Sequence, residues 1–120
     1  MIFSLKKFIR SFQYAFRGLK HAFKKEQSFR IQIIIALIVI TLMFHFNITP
    51  LEKIILLIMA FLVLSLELVN TTAENILNVV EPNSRPRVRV VKDIMAAAVL
   101  VAAFGALIIG LIIFLPYLLK

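Results

Sequence analysis

Five residues near the middle of a mostly apolar chain stand out for the chemistry they could do: Glu67, Asn70, Thr71, Glu74 and Asn78. At 100° per residue they fall within a sector of about 100°, on one face of a helix. Thr72 and Asn75 fall outside that sector. Counted from Leu51 at 1.5 Å per residue, Glu67 stands about 24 Å and Glu74 about 34 Å along such a helix. In a hydrocarbon core of about 30 Å, Glu67 then lies just inside one edge and Glu74 in the headgroup layer.

A carboxylate inside that edge costs about 2–3 kcal/mol, so it needs a partner or a purpose. Two chemistries suit it. A divalent cation takes oxygen ligands from carboxylates and phosphates. A carboxylate shielded from water can serve as a general base. Glu26, the only acid among the first 30 residues, sits near the same depth and offers a further oxygen; Lys92 and Asp93 enter from the same side. Acids for a metal, a lysine for phosphate and a lipid-facing cleft together suggest phosphoryl transfer to a lipid hydroxyl. A plainer alternative is that Glu67 and Glu74 form structural ion pairs with Lys92 and the cluster Arg85, Arg87 and Arg89, and that Asn70 bonds across helices. His21 and His45 have no companions at ligand spacing and read as interfacial side chains. With three glycines in the chain there is no GxxxxGK[ST] loop and no glycine-rich dinucleotide fingerprint. Any nucleotide site must be built from side chains on helices.

The elements that must position these residues follow from periodicity and hydropathy. Leu5, Phe8, Ile9, Phe12, Phe16, Leu19 and Phe23 recur at helical spacing, with Lys6, Lys7, Arg10, Arg17, Lys20 and Lys24 on other faces. Residues 4–25 therefore read as an amphipathic helix lying in a membrane interface. Three membrane helices follow, at about 29–46, 51–77 and 94–119, with Arg30 expected to snorkel to the headgroups. Asn47-Ile-Thr-Pro50 is the first turn, and the residues from Asn78 to Asp93 read as a polar connection. On the last helix Ala98, Ala102, Ala106 and Gly110 recur every four residues, a spacing that permits close backbone approach within the bundle or between subunits. The fold class expected is an all-α membrane protein of one domain over 1–120.

Composition agrees. The 120 residues are 62% hydrophobic with a mean hydropathy of +0.99, too apolar for a small soluble domain. The net charge is +8 and the pI about 10.3. Because the bases cluster beside apolar spans, anionic headgroups are a simpler partner than nucleic acid. Eight Lys and Arg precede or open the first span, four lie between the second and third, and only Lys53 and Lys120 fall on the other side. The positive-inside rule puts the N-terminus and the second connection in the cytoplasm and the C-terminus outside, in the cytoplasmic membrane. No cleavable signal is expected, because Lys6, Lys7 and Arg10 interrupt the first apolar residues. There is no cysteine.

The run Glu67-Leu-Val-Asn70-Thr71-Thr-Ala-Glu74 followed by Lys92-Asp93-Ile-Met-Ala-Ala-Ala-Val99 resembles the signature of the small prokaryotic diacylglycerol kinase and undecaprenol kinase family. Tyr14-Ala-Phe-Arg-Gly18-Leu19 and Glu26-Gln-Ser-Phe-Arg30 resemble its N-terminal pattern, so the likeness covers nearly the whole chain. The resemblance implies a homotrimer with active sites between neighbouring subunits, ATP with Mg2+ as phosphoryl donor, and a membrane lipid alcohol, diacylglycerol or undecaprenol, as acceptor. It implies Glu67 as the base, Glu26 and Glu74 as metal ligands with Asn70 beside them, and Tyr14, Asn83, Ser84, Arg85, Lys92 and Asp93 as nucleotide contacts. Lys7 is implied near substrate or nucleotide. Two positions depart from the pattern: Asn78 stands where the family usually has Asp, and Arg85 where it usually has His. Glu81 could compensate for Asn78 if the helix runs that far. The alternative to an enzyme is a non-catalytic or degenerate three-span protein that keeps this fold.

Overall fold

The computed structural model describes residues 4–83 and 85–120. Among these the chain is helical throughout: α1 spans Leu5–Lys25, α2 Gln27–His45, α3 Pro50–Val80 and α4 Pro86–Leu118. By length and hydropathy α2, α3 and α4 can each cross a membrane.

Each boundary has a local cause. The Ser4 side chain accepts from Lys7 N at 3.3 Å and starts α1. Glu26 breaks the helix with extended backbone (φ −110°, ψ 108°) and serves both as C-cap of α1 and N-cap of α2. Arg30 finds its partners within the chain. Its guanidinium turns back and donates to the carbonyls of Phe23 and Lys24, both at 2.9 Å, because the free carbonyls at a helix C-terminus attract a cation. That clamp ties the first turn of α2 to the end of α1.

Asn47 takes the left-handed backbone (φ 53°) that turns the chain between α2 and α3, a conformation asparagine adopts more readily than most residues. A capping box then opens α3: Thr49 Oγ1 accepts from Glu52 N at 3.2 Å, and Glu52 Oε1 accepts from Thr49 N at 3.0 Å. Pro50 needs no amide hydrogen at that position. With 31 residues α3 is about 46 Å long, well beyond what a membrane core requires. It stops at Val80 because Glu81 precedes Pro82, which drives that residue out of helical backbone.

The expected polar connection from Asn78 to Asp93 is far shorter. Asn78 belongs to α3, and Arg87, Arg89, Lys92 and Asp93 lie on the first turns of α4. Pro86 begins a helix there rather than breaking one, since its ring presets the right φ and its missing donor is one a first turn does not use.

Helices α2 and α4 both pack on α3 and touch each other little. The buried core lies at the end of the Asn47 turn, where Met43, Ile48, Leu56, Ile113 and Phe114 meet with Phe46 and Tyr117 against them. There the Tyr117 hydroxyl donates to Glu52 Oε1 at 2.8 Å, joining the C-terminal turn of α4 to the first turn of α3. Most other large apolar side chains, among them Ile34, Leu37, Ile58, Phe61, Leu100 and Phe104, are exposed, as in a protein solvated by lipid. Between α2 and α4, over α3, runs an apolar groove of about 560 Å³. Ala106 and Gly110 line it, and a Cβ added at Gly110 would meet nothing within 4 Å. The small-residue seam therefore does not draw backbones together at Gly110 within this chain.

Candidate active site

The site lies at the end of the bundle away from that core. Among the described residues Glu67 is the one buried charged side chain, 6% exposed, on the inner face of α3. The other buried residues of α3 are Leu56 and Val63, so the face that packs against its neighbours carries a carboxylate at its last buried position. Glu67 lines a cavity of about 240 Å³ with Asn70, Ser28, Gln32 and Ala96, Val99, Leu100 and Ala103 of α4. The polar side chains come from two helices and the apolar wall from the third. Asn70 Oδ1 is buried there without a hydrogen-bond partner among the described residues. An orphaned acceptor of this kind costs about 1–3 kcal/mol until a donor meets it.

Glu67 and Glu74 stand two turns apart on α3, and Glu26 lies at the α1–α2 break. The break explains why Glu26 is available. Its backbone caps both helices, while its side chain makes no capping bond. Among the described residues no three His, Cys, Asp or Glu side chains are grouped closely enough to cage a metal ion by themselves.

The structural ion pairs considered from the sequence are not formed among the described residues. The single ion pair there joins Arg85 Nε to Glu81 Oε1 at 3.3 Å, across the short α3–α4 connection. Glu81 is the C-cap of α3, outside the helix, and is engaged by Arg85; it does not extend the acidic stripe past Asn78. Lys92, half-buried on α4, donates its ammonium to Asn78 Oδ1.

The other residues singled out from the sequence are scattered. Tyr14 and Lys7 are exposed on α1, with the Arg17 guanidinium 5.7 Å from the Tyr14 ring centre. Asn83, Arg85 and Asp93 are exposed at the connection and on the start of α4, and Ser84 lies outside the described residues. No hydrogen bond or ion pair among the described residues brings Lys7, Tyr14, Asn83 or Asp93 to the carboxylates. Ser28 and Gln32 were not singled out as site residues, yet they line the Glu67 cavity. Gln32 carried a signal, as a lone amide early in an otherwise apolar span.

Comparison with known proteins identifies the family. The prokaryotic diacylglycerol kinase family matches residues 13–114. A diacylglycerol kinase of Synechocystis sp. is 34% identical over 111 residues, covering 92% of this chain and 63% of the relative. An undecaprenol kinase of Bacillus subtilis is 33% identical over 112 residues, 93% of this chain and 91% of the relative. A diacylglycerol kinase of Haemophilus influenzae is 39% identical over 70 residues, 58% of this chain and 59% of the relative. The chain thus spans somewhat under two thirds of the first and third relatives and nearly all of the second.

Proposed function

Since the chain belongs to the prokaryotic diacylglycerol kinase family, we propose that it is a lipid kinase, transferring the γ-phosphoryl group of ATP to a membrane lipid alcohol. The observation that carries this reading is the buried Glu67 beside the unpartnered Asn70 Oδ1, in a cavity bordered by the apolar groove. Gln32 and Ala103 line both the cavity and the groove, so a lipid can lie along the groove with its hydroxyl at Glu67.

In this reaction Glu67 accepts the proton of the lipid hydroxyl. The freed oxygen attacks the γ-phosphorus in line, the bond to the β–γ bridging oxygen breaks, and ADP leaves. Asn70 Oδ1 accepts a hydrogen bond from a water that supports the incoming hydroxyl. Glu26 and Glu74 are the carboxylates that would hold Mg2+, with nucleotide phosphates as further oxygen ligands. Mg2+ held there would neutralise charge on the phosphates. Lys92 supplies a point charge to the same phosphates, and Tyr14, Asn83, Ser84, Arg85 and Asp93 are the proposed contacts for the rest of the nucleotide. Lys7 lies toward either substrate.

The setting belongs to the same proposal. Helix α1 rests in the headgroup layer, its exposed Phe8, Phe12, Phe16 and Phe23 turned to the acyl region. The N-terminus and the α3–α4 connection face the cytoplasm, where ATP is found, and the C-terminus lies outside. The chain works as one domain in a homotrimer, whose neighbouring copies cover part of the exposed apolar surface. Diacylglycerol and undecaprenol are both acceptors of the right chemistry. Purified protein given MgATP and each lipid alcohol separately tests the proposal. Phosphorylated product from at least one is expected, and none from either, with folded protein, would leave the non-catalytic reading.

A further inference from the structure

We propose that Asn78 is a positioning residue for the phosphate-binding cation: it holds the Lys92 ammonium in place while leaving its charge uncompensated, ready for a triphosphate. This rests on the kinase reading above.

Asn78 lies in the last turn of α3 and Lys92 in the second turn of α4, and the five-residue connection between the helices brings the two side chains together. The acceptor is an amide oxygen, so it takes one of the three ammonium donors without cancelling the charge. Lys92 is half-buried, and among the described residues no carboxylate lies in ion-pair range of it. An ammonium withdrawn from water with only a neutral partner is costly unless an anion arrives. On α3, Asn78 stands one turn beyond Glu74 and on the same face, so Lys92 is fixed over the stripe on the side of Glu74. Phosphate oxygens held at Glu74 through a cation would meet the two free N–H donors of Lys92. The Asn78 side chain has no other hydrogen-bond partner among the described residues, so positioning Lys92 accounts for the contact it makes. A carboxylate at 78 would instead pair with the ammonium and compete with the incoming phosphate.

The test is a double-mutant cycle on Asn78 and Lys92 in the purified full chain, reading calorimetric binding of inorganic triphosphate and, separately, KM and kcat for MgATP. Asn78→Ala is expected to weaken triphosphate binding about 3–10-fold, the range of one lost hydrogen bond, with the kinetic change carried by KM. In the Lys92→Met background the same change should do nothing further. Asn78→Asp, close in shape and therefore informative even if the alanine variant fails to fold, should also weaken binding. Equal effects of Asn78→Ala with and without Lys92, or tighter binding in Asn78→Asp, would overturn the proposal. A wild-type chain that binds triphosphate with this coupling but transfers no phosphoryl group would instead count against the kinase reading.

Discussion

Replacing Glu67 by Gln separates a working carboxylate from a structural one, because the two roles predict opposite changes in stability. The substitution keeps the shape and removes the charge. Glu74 is two turns away, about 10 Å along the helix axis, and for the ionised pair an effective dielectric of about 20 gives a repulsion of about 1.7 kcal/mol. Glu67 is also 6% exposed with no cation in ion-pair range among the described residues, so its charge is held at a desolvation cost that Gln avoids. Glu67→Gln should therefore stabilise the folded protein by about 1–2 kcal/mol, allowing for screening of Glu74 in the headgroup layer. Loss of the base should at the same time cut phosphoryl transfer by about 10²–10⁴-fold. Thermal unfolding in detergent micelles and steady-state transfer of labelled phosphate, on one preparation, give both numbers. Transfer within threefold of the wild type would refute the base role. A drop in stability together with activity would refute the claim that this charge is an unrelieved cost to the fold.

Three further perturbations follow from particular contacts. Glu26→Gln and Glu74→Gln should each raise the Mg2+ concentration needed for half-maximal turnover; an unchanged requirement in a Mg2+ titration would remove them as ligands. Arg30→Met should free the end of α1 from α2, seen as faster amide hydrogen exchange over residues 23–30 and lower activity through a displaced Glu26; unchanged protection there would show that the clamp is dispensable. Tyr117→Phe should lower the unfolding temperature and show coupling to Glu52→Gln in a double-mutant cycle, while leaving the Mg2+ requirement alone, since the contact lies at the far end of the bundle; additivity would show that the two groups act independently.

The sequence made the helices and the phase of the acidic stripe readable because both depend on residues close in the chain. Hydropathy runs marked α2, α3 and α4, and 100° steps set Glu67, Asn70 and Glu74 on one face. Prolines were harder to read. Pro86 looked like part of a loop but starts α4, since the same ring that breaks a helix interior suits a first turn. Long-range pairings left no trace. Lys92 meeting Asn78, and Tyr117 meeting Glu52 across 65 positions, depend on the register of α3 against α4, which no local pattern encodes. The partners of Arg30 were hidden for a different reason. Its own flanks suggest snorkelling, and the carbonyls it caps become available only once Glu26 breaks the helix.

The central claim is that the Glu67 cavity moves a phosphoryl group from ATP to lipid. Purified protein in lipid vesicles containing diacylglycerol or undecaprenol, supplied with MgATP labelled at either the γ or the α position, tests it directly. Label from the γ position should pass into the organic-phase lipid, and label from the α position should not. Absence of γ label from both lipids, with the protein folded and inserted, would contradict it.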